Sequence, residues 1–310
     1  MPFADLKNDF VFRRIFATHA DILRGLLNDL LERTGEAAIA SIEYLPSEQL
    51  PLVVGAKLSI LDVRCKDRAG TTFVVEMQLV HVPGFINRVV YNACKAYVSQ
   101  LKVRAKYKQL ADVVAISICD FELWPDKKQV EQKLPLVPML SRWNMTERAS
   151  GNRGLLQVQY AFLELPKLPE HKPGAGAGYW AWLFVHAPEL TGVPDDLPVG
   201  PYRDALELAN ESTFTQEERD AYQKVIDEIE QAREYGEVKW EEGKAEGETG
   251  AKAAAILAFL AARGIPVSAE VRSDIEACKE GVTLDRWIVR AATAASAEEV
   301  IAVTEGSVAP

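Results

Sequence analysis

The chain has 310 residues and a formal net charge of −10, enough length for one large domain or two smaller ones. Overall acidity excludes a surface coated with basic charge for nucleic acid, though not a local basic groove. No apolar run approaches the ~20 residues of a transmembrane helix, so no membrane partner is expected.

The opening MPFADLKNDF lacks a basic region followed by an apolar run, so it does not read as a secretion signal. Residues 5–33 read as helical, with a break near Asp21. Phe12, Ile15 and Phe16 form one apolar patch, and Ile22, Leu23, Leu26, Leu27, Leu30 and Leu31 a second at helical spacing. Asp21 is read as an N-cap and Gly35 as a stop. Asp9, ahead of the first patch, is either a helix cap or a functional carboxylate. Residues 39–45 predict a strand, and Val53 and Val54 an approach to the next element.

SILDVRCKDRAGTTFVVEMQ, residues 59–78, reads as two short strands around a tight turn centred on Ala69, with Gly70 free to take positive φ. Pairing about that centre sets Asp62 opposite Glu76, with Cβ atoms ~5 Å apart, and Gln78 on the same face. Two readings of this acidic pair stand. It is a solvated face, or it holds a cation that relieves the repulsion. Mg²⁺ suits the second, because it takes one or two carboxylates and keeps several waters.

A helix is expected from Phe85 to Lys108, with an apolar stripe of Ile86, Val89, Val90, Ala93, Tyr97 and Leu101. Arg88, Asn92, Lys95, Ser99, Lys102 and Lys106 make its polar face. No Asp or Glu falls between Glu76 and Asp112, against the trend of the whole chain. Arg88, Lys95, Lys102 and Lys106 are therefore candidate DNA-phosphate contacts, whose affinity should fall steeply with salt. Residues 112–119 predict a buried strand, Trp124–Lys128 a turn, and residues 129–170 further edge strands.

Pro, Gly and Ala dominate residues 166–178, which read as a linker or mobile loop, and Trp180, Trp182, Leu183 and Phe184 re-enter the core or cover it. Helices follow at 203–210 and 216–235, the latter with a capping box from Thr215 to Glu218. Four glycines interrupt a charged stretch near 236–250, read as a weakly helical tether. Ser268, Thr283 and Ser296 are expected N-caps in a terminal bundle suited to self-association or partner binding. Cys65, Cys94, Cys119 and Cys278 have no metal-type spacing and fit free thiols, three of them buried, in a reducing cytoplasm. The division expected is a core at 1–170, a helical extension at 171–235, the tether at 236–250 and a small helical module at 251–310.

The order of LKNDFVFRRIF, KLSILDVRCKDRAGTTFVVEMQ, RVVYNACKAYVSQLK, VVAISICDFELW and FLELPKL resembles the recombination-promoting nuclease and transposase family of the PD-(D/E)xK nuclease superfamily. The likeness runs from about Leu6 to Leu168. It implies an α/β, restriction-endonuclease-like core with a mixed β-sheet flanked by helices, followed by an α-helical C-terminal region. It implies a metal-dependent DNA endonuclease, with Mg²⁺ as cofactor and Mn²⁺ able to substitute. It assigns Asp62 and Glu76 as catalytic metal ligands, Gln78 as the residue in the lysine position, and Asp9 as the early acidic position. Glu76-Met77-Gln78 departs from the commoner Glu-x-Lys by losing a positive charge at the transition state, for which Arg88 or Lys95 is a candidate replacement. The competing expectation is a DNA-binding or protein-interaction module with a weakened or inactive nuclease site. A two-fold homodimer suits paired nicks in opposite strands.

Overall fold

The computed structural model describes residues 3–49, 59–101, 106–171, 174 and 176–302. Val53, Val54 and Lys102 lie outside these residues. The described residues fall into two compact units, Met1–Ile226 and Asp227–Pro310.

In the first unit, α1 (Asp9–Phe16) starts where Asn8 accepts hydrogen bonds from the backbone N–H of Phe10 and Val11. The cap is thus Asn8, and Asp9 is the first helical residue. α2 (Ala20–Leu30) follows after a break at 17–19, with Asp21 inside its first turn rather than capping it. It ends at Leu30, before Gly35, which instead opens a short 3-10 turn at positive φ. The two apolar patches face one way because residues three and four apart share a helix face. Both patches are buried in one cluster.

A six-stranded mixed sheet carries this unit. Its strands are β1 (Ile42–Tyr44), β4 (Val63–Asp67), β5 (Thr72–Gln78), β6 (Val113–Cys119), β7 (Leu140–Met145) and β8 (Leu155–Glu164), in the order β1-β4-β5-β6-β8-β7. β2 (Glu48–Gln49) and β3 (Ser59–Ile60) form a separate two-stranded ribbon. β5, β6 and β8 run parallel, and the other neighbours are antiparallel. β6 is buried throughout, as a continuous apolar strand must be when both faces are covered. On one face Val114, Ile116 and Ile118 pack with α1, α2, α5 (Ala177–His186) and α6 (Pro201–Leu208). On the other, Val113, Ala115 and Cys119 pack with α3 (Phe85–Val98). Full burial of a large apolar side chain such as Phe12, Phe16 or Leu23 contributes ~1.5–3 kcal/mol.

Four expectations are corrected. Asp126 opens a short helix, α4 (Asp126–Glu131), where a turn was expected. β8 lies inside the sheet between β6 and β7, not at its edge. The core does not close at residue 170, because Trp180, Phe184, Ala205 and Leu206 belong to the same buried cluster as the sheet. Cys94 is exposed and Cys278 half-buried, which leaves only Cys65 and Cys119 as buried free thiols.

α7 (Gln216–Ala262) begins with the expected capping box: Glu218 N–H donates to Thr215 Oγ1 at 3.2 Å, and Thr215 N–H to Glu218 Oε2 at 2.8 Å. It stays helical through 236–250, where a tether was expected. Each glycine there costs ~1 kcal/mol relative to alanine, which does not stop the helix.

The second unit contains α8 (Ala269–Ala277), α9 (Gly281–Ala291) and α10 (Ala297–Ile301) around Ile256, Leu260, Ile275, Leu284 and Val300. Ser268 and Ser296 cap α8 and α10 with their hydroxyls. Thr283 lies inside α9, which is preceded by Glu280. No described helix is long and apolar enough to cross a membrane.

Candidate active site

The hairpin of β4 and β5 turns at residues 67–71. Gly70 takes φ 91°, and its N–H donates to Asp67 O at 3.1 Å. Thr71 N–H donates to Asp67 Oδ1 at 2.9 Å and Asp67 N–H to Thr71 O at 3.1 Å, which closes the turn and fixes the register. That register pairs Val63 with Val75 and Arg64 with Val74. Continued by one residue, it sets Asp62 opposite Glu76, just past the last ladder pair. Asp62 closes the ladder with its side chain instead, Oδ2 accepting from Met77 N–H at 2.8 Å.

Phe73 and Val75 enter the α1/α2 core and Val74 the α3 core. By alternation Glu76 and Gln78 lie on the α3 side of the sheet. Glu76 is 8 % exposed. Its Oε1 accepts from Asn92 Nδ2 at 2.9 Å, and Arg88 Nη2 lies 4.0 Å from its Oε2. Burial raises the Glu76 carboxyl above its ordinary range, against the opposing pull of Arg88 and the Asn92 hydrogen bond. Gln78 is held from both ends: Oε1 accepts from Arg88 Nη2, and Nε2 donates to Val80 O at 2.9 Å.

α1 closes the other side. Arg13 Nη2 donates to Asp62 Oδ1 at 3.0 Å, and Arg13 Nε lies 3.1 Å from Asp9 Oδ1. The Asp9 carboxyl is pushed up to about 6, first by burial and then by the Asp62 charge, with Arg13 opposing. Asp9, Asp62, Glu76 and Gln78 thus gather around one end of the hairpin, between α1 and α3.

α3 differs most from expectation. It ends at Val98, ten residues early. Its Asn92 and Lys95 are buried and Arg88 reaches Gln78 from the exposed rim, while Ile86, Val90, Tyr91 and Val98 are exposed. The expected polar and apolar faces are therefore partly exchanged, because the acidic end of the hairpin needs donors more than it needs methyl groups. Lys95 is 3 % exposed, and its Nζ donates to Gln49 O at 2.7 Å. Burial lowers the pKa of its ammonium. Lys106 is exposed but lies beyond the helix, before a 3-10 turn.

Arg13 and Gln49 were not singled out from sequence. For Arg13 the signal was available, since it follows Asp9 at the i,i+4 spacing of a helical ion pair. Gln49 comes from a separate ribbon, and nothing local marks it.

Among the described residues no group of three or more His, Cys, Asp or Glu side chains forms a metal cage. The donor set here is smaller and harder: two carboxylates at one strand end. The amide oxygen of Asn92, whose nitrogen holds Glu76, is buried without a hydrogen-bond partner. Hard oxygen donors beside an acceptor that lacks a proton donor fit a hydrated Mg²⁺ or Mn²⁺, which brings waters as donors. Thiolate and imidazole, the soft ligands of other metals, are absent from this set.

No curated protein and no solved structure matches the chain significantly. Residues 6–232 match the family model of the PD-(D/E)XK nuclease family transposases. The match ends near the division between the two units, so most of the second unit lies outside it. With nearly three-quarters of its residues matched, the chain belongs to the PD-(D/E)XK nuclease transposase family.

Proposed function

We propose that this protein is a metal-dependent DNA endonuclease that hydrolyses phosphodiester bonds and so promotes recombination or DNA mobility. The observation that carries the reading is the meeting of Asp62 and Glu76 at one end of an antiparallel hairpin, each held by a side chain from a different helix. Asp62 and Glu76 would hold Mg²⁺, or Mn²⁺ in its place. When bound, such an ion supplies Lewis acidity toward the phosphoryl oxygen and acidifies a coordinated water.

The chain's own groups supply the rest. Met77 N–H and Asn92 fix the two carboxylates before substrate arrives, which lowers the reorganisation needed in the reaction. Gln78 has amide valences left that could orient a water, but it carries no charge. Arg88, 42 % exposed on its side chain, offers the missing positive charge to a phosphate. Asp9, its carboxyl pushed up to about 6, is placed to take up or release a proton at the rim of the site. In the hydrolysis the water oxygen bonds to phosphorus, the P–O bond to the leaving sugar oxygen breaks, and that oxygen takes up a proton. DNA is the proposed partner, and a two-fold dimer would deliver paired nicks.

Plasmid nicking with Mg²⁺, with Mn²⁺ and with EDTA tests this. Cleavage that needs the metal and disappears in Asp62→Ala and Glu76→Ala is the expected result. Salt-sensitive DNA binding that ignores EDTA, with no cleavage under either metal, would instead make the chain a binding module with an inactive site.

A further inference from the structure

Two polar side chains behind Glu76 have unfinished hydrogen bonding. Asn92 and Gln49 are each 4 % exposed, and the amide oxygens of both are buried with no partner. Leaving such an atom unpaired costs ~1–3 kcal/mol, so the pair calls for a proton donor that the described residues do not supply there. The remaining atoms of both residues are engaged. Asn92 Nδ2 donates to Glu76 Oε1 at 2.9 Å, and Gln49 Nε2 donates to Asn92 O at 3.5 Å. The Gln49 main-chain oxygen takes the Lys95 ammonium at 2.7 Å. The cluster is therefore fixed from three sides, and the two buried atoms left without any partner are both acceptors.

We propose that Asn92 is a positioning residue for the cation site, through both ends of its amide. The nitrogen orients the Glu76 carboxylate, and the oxygen accepts a hydrogen bond from a water coordinated to the cation. Gln49 donates to the main-chain oxygen of Asn92 and so ties down the backbone that carries it. This inference rests on the proposed cation site at Asp62 and Glu76, and adds to it a residue that touches neither the metal nor the phosphate. The alternative occupant, an ordinary buried water unrelated to any metal, satisfies the same oxygen but gives Asn92 no role in cation affinity.

Direct Mn²⁺ binding to the full chain, read from the free-ion signal in electron paramagnetic resonance, separates these possibilities without reference to cleavage. The unchanged protein should bind Mn²⁺. Asn92→Leu, with its fold checked by circular dichroism, should bind roughly tenfold more weakly, the lower end of what loss of such an outer partner does to metal affinity. Asn92→Asp keeps the acceptor oxygen but gives up the nitrogen that orients Glu76, so it should bind more tightly than Asn92→Leu. Asn92→Ala takes the place of the leucine variant in that comparison if the latter does not fold. Equal affinity in Asn92→Leu overturns the proposal in favour of an ordinary water. Affinity in Asn92→Asp no higher than in Asn92→Leu overturns it too, since the oxygen would then not be what matters. Absence of Mn²⁺ binding in the unchanged protein removes the cation site itself, and this role falls with it.

Discussion

One guanidinium holds two carboxylates together: Arg13 lies 3.0 Å from Asp62 Oδ1 through Nη2 and 3.1 Å from Asp9 Oδ1 through Nε. Arg13 therefore offsets part of the repulsion that raises the Asp9 pKa. Arg13→Ala should move that pKa further above 6, followed by carbon-13 NMR of the side-chain carboxyl. A fall toward the ordinary Asp value would contradict the arrangement.

The same shift predicts a pH dependence for the metal-free protein. The Asp9 pKa is about 6 in the fold against 3.8 in the unfolded chain. Between those values the folded state retains a proton that the unfolded state has released. Stability therefore falls as pH rises through that window. Because Asp9 is nearly half exposed, solvent screening leaves only part of the effect. Urea melts in EDTA should show a flatter profile over that window for Asp9→Asn. An unchanged slope would locate the proton elsewhere.

Arg88 reaches both Gln78 and the neighbourhood of Glu76 from α3. Arg88→Ala should lower metal-dependent cleavage by ~10²-fold or more if this residue supplies charge to the transition state. It should also reduce the slope of log affinity against log salt by ~1, the signature of one lost phosphate contact. Loss of cleavage with an unchanged salt slope would restrict Arg88 to holding Gln78.

Glu164 is fully buried at the end of β8. It accepts from Leu123 N–H at 2.7 Å and Trp124 N–H at 3.2 Å, with Lys167 Nζ 3.4 Å away. Lys167 in turn donates to Trp124 O and Val137 O, each at 2.8 Å. Glu164→Ala strips the acceptor from the N–H groups of Leu123 and Trp124 and leaves Lys167 with Asp126, 3.8 Å away, as its remaining carboxylate, which should cost ~1–3 kcal/mol in chemical denaturation. A loss below ~1 kcal/mol would show that the chain relaxes around Lys167.

The hairpin was legible because its information is local. Asp67 and Gly70 fix the turn, and the turn fixes the register that sets Asp62 against Glu76. Gly70→Ala tests that logic: at φ 91° an added Cβ is strained and would stand 3.3 Å from Ala111 Cβ. A loss of ~1–2 kcal/mol is expected from the backbone conformation alone. β6 was legible for a similar reason, its unbroken apolar run having nowhere to go but the centre of the sheet. The orientation of α3 was not legible. Helical spacing groups Arg88, Asn92 and Lys95 on one face but does not say which way that face turns. Here the burial of Glu76 decides it, a demand made by another element. The inclusion of α6 in the core was hidden by the Pro-, Gly- and Ala-rich stretch before it, which reads locally as a boundary, and the aromatic residues of α5 left open whether that helix enters the core or covers it. Nor does sequence proximity join Gln49 to Lys95, which are 46 residues apart.

The double grip on Gln78 bears on how this site could be re-engineered. Its amide presents an acceptor to Arg88 and a donor to Val80 at once, a duty no ammonium can perform because it has no lone pair to give. Installing lysine at position 78 alone would press two cations together and release the guanidinium from its anchor. Positions 78 and 88 therefore behave as a matched couple: a lysine gains a place at the first only when the second surrenders its charge.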